Sequence, residues 1–219
     1  VLKGNLTIGK ENKFYQFCSI GEAPQDLSYK GEDTFVEIGD RNTIREYVSI
    51  HRATMKDRKV TKVGSDNLLM AHVHIGHDCT IGNSCIFVNY MGLAGHVSID
   101  DNVTIGGNSG VTQFVSIGKG SYVGAASAVD RDIPSFCTAV GNRAKLKGIN
   151  IIGLRRKGIS KNDISEVVDF FRSMEASALS PRSFVDHGEL MSDYGDNEIV
   201  NTIVADIRSS EVGIASFSS

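Results

Sequence analysis

The chain has no tryptophan and only 3 prolines in 219 residues. It has no surplus of either charge: 23 Lys and Arg stand against 26 Asp and Glu, for a net charge of -3. That balance removes the electrostatic argument for nucleic acid or an anionic membrane surface as a partner. No apolar run approaches the roughly 20 residues of a membrane-spanning helix, and no signal-peptide pattern is visible. The chain opens at Val1, without an initiator methionine and already inside a repeat, and so reads as a fragment of a longer protein. Cys18, Cys79, Cys85 and Cys137 show no C-x-x-C spacing. Zinc-ribbon and dithiol redox motifs are thereby excluded, and free thiols in a reducing cytoplasm are expected.

Glycine is what the chain has in quantity, with 23 residues, and such a composition prompts a search for repeats. Apolar residues recur every six positions: Ile8, Phe14 and Ile20, then Ile38, Ile44 and Ile50. An unbroken series follows, through Val63, Leu69, Ile75, Ile81, Phe87, Leu93, Ile99, Ile105, Val111, Ile117, Val123 and Val129. Glycine often comes next, as at Gly76, Gly82 and Gly106. A period of six fits neither a helix, at about 3.6, nor a plain strand, at about 2. It fits a mainly β fold, a parallel β-helix in which each hexapeptide makes one flat face and three faces close a coil of about 18 residues. Each aliphatic should point to the axis, and the glycine is expected to supply a positive φ at the corner.

The phase breaks twice, at residues 21–37 and 51–62, both polar and turn-rich. These read as loops extruded from coil corners, where a rigid scaffold usually carries function. After Val129 the ladder stops, and residues 130–147 are expected to form an irregular exit, with Pro134 ending regular structure. The β-helix is therefore assigned to residues 1–148 and a helical C-terminal domain to 149–219. There Ser160 and Asp163 match a capping box, and Ile164, Val167, Val168, Phe171 and Met174 form an apolar stripe at helical spacing. Shorter helices are expected over 181–191 and 196–209, and the serine-rich tail from Ser210 is expected to fray.

Residues eighteen apart stand on adjacent coils, about 4.8 Å from one another. His77, Gly95 and Gln113 have that spacing, and so do Asp78 and His96. One corner therefore collects all five, and His51, which ends a coil before the second loop, should lie nearby. Histidine titrates near neutrality and serves as a general base. An adjacent carboxylate such as Asp78 can hold its tautomer, and the Gly95 N–H, with no side chain in the way, can face an oxyanion. A metal site built from His51, His72 and His77 is the rival reading, as in the γ-class carbonic anhydrases. A degenerate β-helix acting only as a binding platform is the non-enzymatic one.

The segments IGHDCTIGN, GLAGHVSIDD, QDLSYKGE, VSIHRAT, TKVGSDNLLM and GINIIGLRRKG resemble the UDP-N-acetylglucosamine acyltransferase family of lipid A synthesis. The resemblance runs from about Asn5 to about Ser160, and more loosely through the C-terminal helices. It implies a left-handed β-helix, a cytoplasmic homotrimer with sites between subunits, and neither metal nor organic cofactor. It implies transfer of a 3-hydroxyacyl chain from acyl carrier protein to the 3-position of the sugar nucleotide, although some members acylate a 3-amino sugar. By position, His77 matches the base, Asp78 its support, and Gly95 the oxyanion donor. Asp26, His51, His74, His96, Gln113, Asn150 and Arg156 match substrate contacts. Ala125 falls where the family measures acyl length, and its methyl implies a modestly shortened chain. Arg155, Arg156 and Lys157 offer an acidic carrier a docking patch. Ser28, Thr112 and Ile152 depart from the family, standing where relatives carry lysine, histidine and glutamate.

Overall fold

The computed structural model describes residues 1–218. Most repeats contribute a two-residue strand, such as Thr80–Ile81, and then a turn. Strands eighteen residues apart pair in parallel, Thr80 with Ser98 and Ile81 with Ile99, so the sequence period becomes a vertical register. The strands form the three faces of a prism. Face I has six, from Asn5–Ile8 to Ser116–Ile117. Face II has eight, from Lys13–Phe14 to Lys145–Ile149. Face III has six, from Ser19–Glu22 to Ala128–Val129.

Two columns of side chains fill the prism. The first is the aliphatic ladder, with Ile44, Leu69, Ile75, Phe87 and Ile105 all fully buried. The second, two positions earlier, was not legible as a pattern because its residues vary in type: Val73, Met91, Val97 and Val103 share it with cysteines. Cys18, Cys79, Cys85 and Cys137 all occupy this column, each two residues before an inward Ile20, Ile81, Phe87 or Ala139. All four thiols are free and buried. Desolvation pushes Cys79 and Cys85 up to about 12, because a thiolate there would lose its hydration.

The corner glycines do a different job from the one expected. Positive φ falls three residues after the aliphatic, on Asp66, His72, Asp78, Ser84, Tyr90, His96, Asn102 and Asn108. Gly82 and Gly106 follow the aliphatic directly and are selected by space. A Cβ on Gly82 would lie 2.8 Å from the backbone carbon of Asp100, and one on Gly106 would lie 2.4 Å from the Ala125 nitrogen. Side chains here would force neighbouring coils apart.

The exit is also more regular than expected. Cys137–Val140 joins face II beside Tyr122–Val123, pairing Tyr122 with Thr138, and Lys145–Ile149 folds back antiparallel to it. Ile133 bridges Ile117 on face I. These pairs are sixteen residues apart, not eighteen, so the last coil is two residues short and its inward residues drop out of phase.

Five helices follow: α1 (Ile151–Arg156), α2 (Lys161–Ala176), α3 (Pro181–Val185), α4 (Gly188–Met191) and α5 (Glu198–Ser209). Ser160 caps α2 by accepting from the Asp163 N–H, satisfying an orphan donor of the first turn. Phe170 adds to the α2 stripe, its ring edge-on to Phe184 and Tyr194. Asn197 caps α5 and also donates to Glu166 on α2, locking the two helices together. The tail does not fray over Ser210–Ser218. Ile214 bridges Asp132, Phe217 bridges Leu146, and Ser210 Oγ donates to Asp132 at 2.6 Å. Its apolar residues, Ile214, Ala215 and Phe217, dock on the top coil, which serine content alone concealed. Ser219 lies outside the described residues.

If the corner glycines are there for space, Gly106→Ala destabilises the fold by about 1–3 kcal/mol. Asn108→Gly, at φ 57°, changes stability by less than about 1 kcal/mol. Denaturant unfolding of the two variants checks this, and the opposite ranking would mean that conformation selects glycine there.

Candidate active site

Both extruded loops leave the prism at the corner where face III turns into face I, between Glu22 and Phe35 and between His51 and Val60. The same corner carries His77–Asp78, Gly95–His96 and Gln113–Phe114 on successive coils. Chain geometry thus gathers the longest excursions and the polar files at one edge. Asp78 and His96 sit at positive φ, which turns their side chains along the corner.

The Asp78 carboxylate is fully buried and accepts from His77 Nδ1 at 2.8 Å. With a carboxylate oxygen as acceptor, Nδ1 is the donor of this bond, and in the neutral ring Nε2 is then the nitrogen with the lone pair. Thr54, on the second loop, donates to Asp78 from its N–H and its hydroxyl. His96 Nε2 lies 3.6 Å from the same carboxylate oxygen, and its ring stacks on Phe114. His77, Asp78 and His96 offer donor atoms within 4.8 Å of one another. Within that group Asp78 is hydrogen-bonded to His77 and to Thr54, and His96 is held by its stacking on Phe114. His72, which the metal reading requires, stands on another corner, sandwiched between Tyr47 and Tyr90 at centroid distances of 4.7 and 4.6 Å.

Gly95 faces the His77 ring. A Cβ there would come within 2.3 Å of His77 Cε1 and 2.6 Å of Nε2. Only glycine leaves the imidazole its place. The Gly95 N–H is buried and meets no acceptor among the described residues.

His74 and His51 lie on face III beside this corner, their rings edge-on at 5.0 Å. Burial pushes His74 down to about 4, with His51 and His77 adding repulsion. Burial also lowers His51. Both rings are therefore neutral near pH 7. His74 Nδ1 pairs with Ser49 Oγ at 2.8 Å, whereas the buried Nδ1 of His51 has no partner among the described residues. A buried ring nitrogen left unpaired marks a place for a ligand group.

The remaining candidates are dispersed. Gln113 is exposed at the corner above Gly95. Asp26 is held within its own chain, by Ser28 and by Lys56 Nζ at 2.7 Å, and the ammonium keeps its carboxyl well below the usual range. Ser28 thus caps Asp26, donating to it from its N–H and its hydroxyl. Ala125 is exposed on the corner between faces II and III, away from His77 in the same chain. Asn150 is occupied structurally: it caps α1 by accepting from Gly153 N–H and donates to Gly120 O at 2.9 Å. Arg155, Arg156 and Lys157 are all exposed. Arg155 lines a groove of about 280 Å³ with Lys161 and Arg172, while Lys157 sits over the Phe136 ring and Arg156 is exposed. Thr112 and Ile152 are exposed. Thr54 was missed in the sequence because it lies in a loop that the six-residue period does not govern.

Comparison with known proteins bears on the whole chain. A family model described as domain 2 of UDP-N-acetylglucosamine O-acyltransferase matches residues 132–215. The structure of LpxA from Acinetobacter baumannii is 44% identical, with a TM-score of 0.91 over 96% of this chain and 81% of that one. LpxA from Moraxella catarrhalis is 43% identical, with a TM-score of 0.90 over 96% and 81%. The Bacteroides fragilis enzyme is 38% identical at a TM-score of 0.90, again over 96% and 81%. A chain with this left-handed β-helix, and this identity over nearly its whole length, belongs to the UDP-N-acetylglucosamine acyltransferase family.

Proposed function

We propose that the chain transfers a 3-hydroxyacyl group from acyl carrier protein to the 3-hydroxyl of UDP-N-acetylglucosamine, the first step of lipid A synthesis, with His77 as the base. The observation that carries this assignment is the His77 ring, fixed by Asp78 at Nδ1 and packed so closely on Gly95 that only glycine leaves it room. Nε2 removes the hydroxyl proton as the sugar oxygen attacks the thioester carbonyl. The Gly95 N–H donates to the developing oxyanion, which a preorganised donor stabilises without reorientation. Collapse of the tetrahedral adduct breaks the C–S bond, and the imidazolium returns its proton to the carrier thiolate. Asp78 stabilises the imidazolium between those steps.

Neutral His51, His74 and the exposed Gln113 suit an acceptor rich in hydroxyls, and the exposed Arg156 suits its phosphates. Arg155, Lys161 and Arg172 suit the acidic carrier. Ala125 lies on a different corner from His77, so for it to limit the acyl chain a second copy must present it, which favours sites between subunits of a homotrimer. No described helix is long and apolar enough to cross a membrane, and an acyl carrier donor with four free thiols fits the cytoplasm.

His77→Ala lowers kcat by at least ~10²-fold with the fold intact. Mass spectrometry of products from UDP-N-acetylglucosamine and a panel of 3-hydroxyacyl carrier thioesters checks it, and undiminished transfer would remove His77 as base. Gly95→Ala has a comparable effect, because its Cβ displaces the ring.

A pH effect follows from His74. Its folded value, about 4, lies below the ordinary value of about 6.5. The unfolded chain takes up the proton first, so stability falls as pH drops from about 6.5 towards 4. Urea unfolding across that range should show the fall, and it should be shallower in His74→Gln.

A further inference from the structure

The second extruded loop has no part in the bond-making steps, yet it grips the buried carboxylate of the site. Thr54 N–H lies 3.1 and 3.0 Å from the two oxygens of Asp78, and Thr54 Oγ1 lies 2.8 Å from Oδ2. Oδ2 is also the oxygen that accepts from His77 Nδ1. Thr54 and Asp78 are each 2% exposed, so water does not compete for these bonds. Asp78 has φ 60°, a conformation that a non-glycine residue keeps only where its surroundings over-determine it. Its own N–H is tied to Thr61 Oγ1 at 2.9 Å. Two residues further along, at Lys56, the same loop reaches the other extruded loop. Lys56 N–H donates to Thr54 Oγ1 at 3.2 Å, and Lys56 Nζ donates to Asp26 at 2.7 Å.

We propose that Thr54 is a positioning residue: it sets the carboxylate plane of Asp78, and through Asp78 the tautomer and ring orientation of His77. The inference rests on the reading of His77 as the base. A carboxylate torsion is broad and nearly two-fold, so Asp78 held only by its histidines has no preferred plane. Two donors from one residue remove that freedom. They leave a single orientation in which Oδ2 meets Thr54 Oγ1 and His77 Nδ1 together. The backbone donor keeps part of this constraint in any variant, and the hydroxyl supplies the rest on the oxygen that matters.

The test uses Thr54→Val, which keeps the shape and loses the hydroxyl, Thr54→Ser, which keeps the hydroxyl, and Lys56→Met, which cuts only the tether to Asp26. The readouts are kcat, KM, thermal melting and the low-field proton resonance of the His77–Asp78 hydrogen bond. Thr54→Val is expected to lower kcat about 10-fold, since small misplacements of a reacting group have effects of this order. KM should stay within about two-fold, as expected when only the transition state is affected. The proton resonance should move or be lost to exchange. Thr54→Ser restores both, and Lys56→Met leaves the resonance in place. Wild-type kcat with an unmoved resonance in Thr54→Val would overturn the proposal. So would a Thr54→Ser enzyme as impaired as Thr54→Val, or a Lys56→Met resonance displaced like that of Thr54→Val. The resonance needs no substrate. A mistaken donor or acceptor would silence the wild-type assay and leave this test standing.

Discussion

Vertical hydrogen bonding between coils is the constraint from which the rest of the structure follows. Backbone groups of one coil pair with those of the next at about 4.8 Å, and through the middle of the stack each strand shares its register with the one eighteen residues away. That pairing decides what each position can hold. Where glycine follows the aliphatic, as at Gly82 and Gly106, a Cβ would collide with the neighbouring coil. The residue two further on accepts a left-handed backbone, even as tyrosine or histidine, because the coils on either side hold it there. Isolated, such a residue would sit at a cost of about 1–3 kcal/mol.

The same rigidity lets one edge be polar without loosening the whole. The axis is filled by the aliphatic ladder and a second column in which buried Asn42, Asn67, Ser109, Ser121 and Ser127 stand among apolar residues, each donating to a backbone carbonyl of the coils. Polar groups gather where face III meets face I, and there the two loops cover them. The result is a graded environment. Asp78 is fully enclosed, His77 nearly so, and Gln113 open to solvent. Several donors hold the buried carboxylate in place, while neutral imidazoles beside it add hydrogen-bonding capacity without adding charge.

The prism was legible in the sequence because a six-residue period is repeated too often to be accidental, and arithmetic on that period brought His77, Gly95 and Gln113 into one file. What escaped followed from the limits of periodicity. The last coil is two residues short, so Ile133 and Ala139 were out of phase. The stack of Phe17, Tyr47, His72 and Tyr90 was hidden by loop insertions that stretch its first spacings well past eighteen. Thr54 belongs to a loop, whose path depends on which side chains it meets. The resemblance implies a substrate contact for Asn150, and its partners Gly153 and Gly120 add a role the sequence did not show, a helix cap that fastens the C-terminal helices to the last coils.

The column of cysteines has a consequence for how this molecule comes apart. Cys18 belongs to the first coil, Cys79 and Cys85 to the middle of the stack, and Cys137 to the short last coil. Each is sealed from reagents while its coil stays closed, and desolvation suppresses the thiolate that an alkylating agent needs. A solenoid whose repeats touch mainly their neighbours is free to unzip from an end. The four thiols are therefore sentinels spaced along the axis, and the order in which they become reactive is a record of where the unzipping starts and how far it has run.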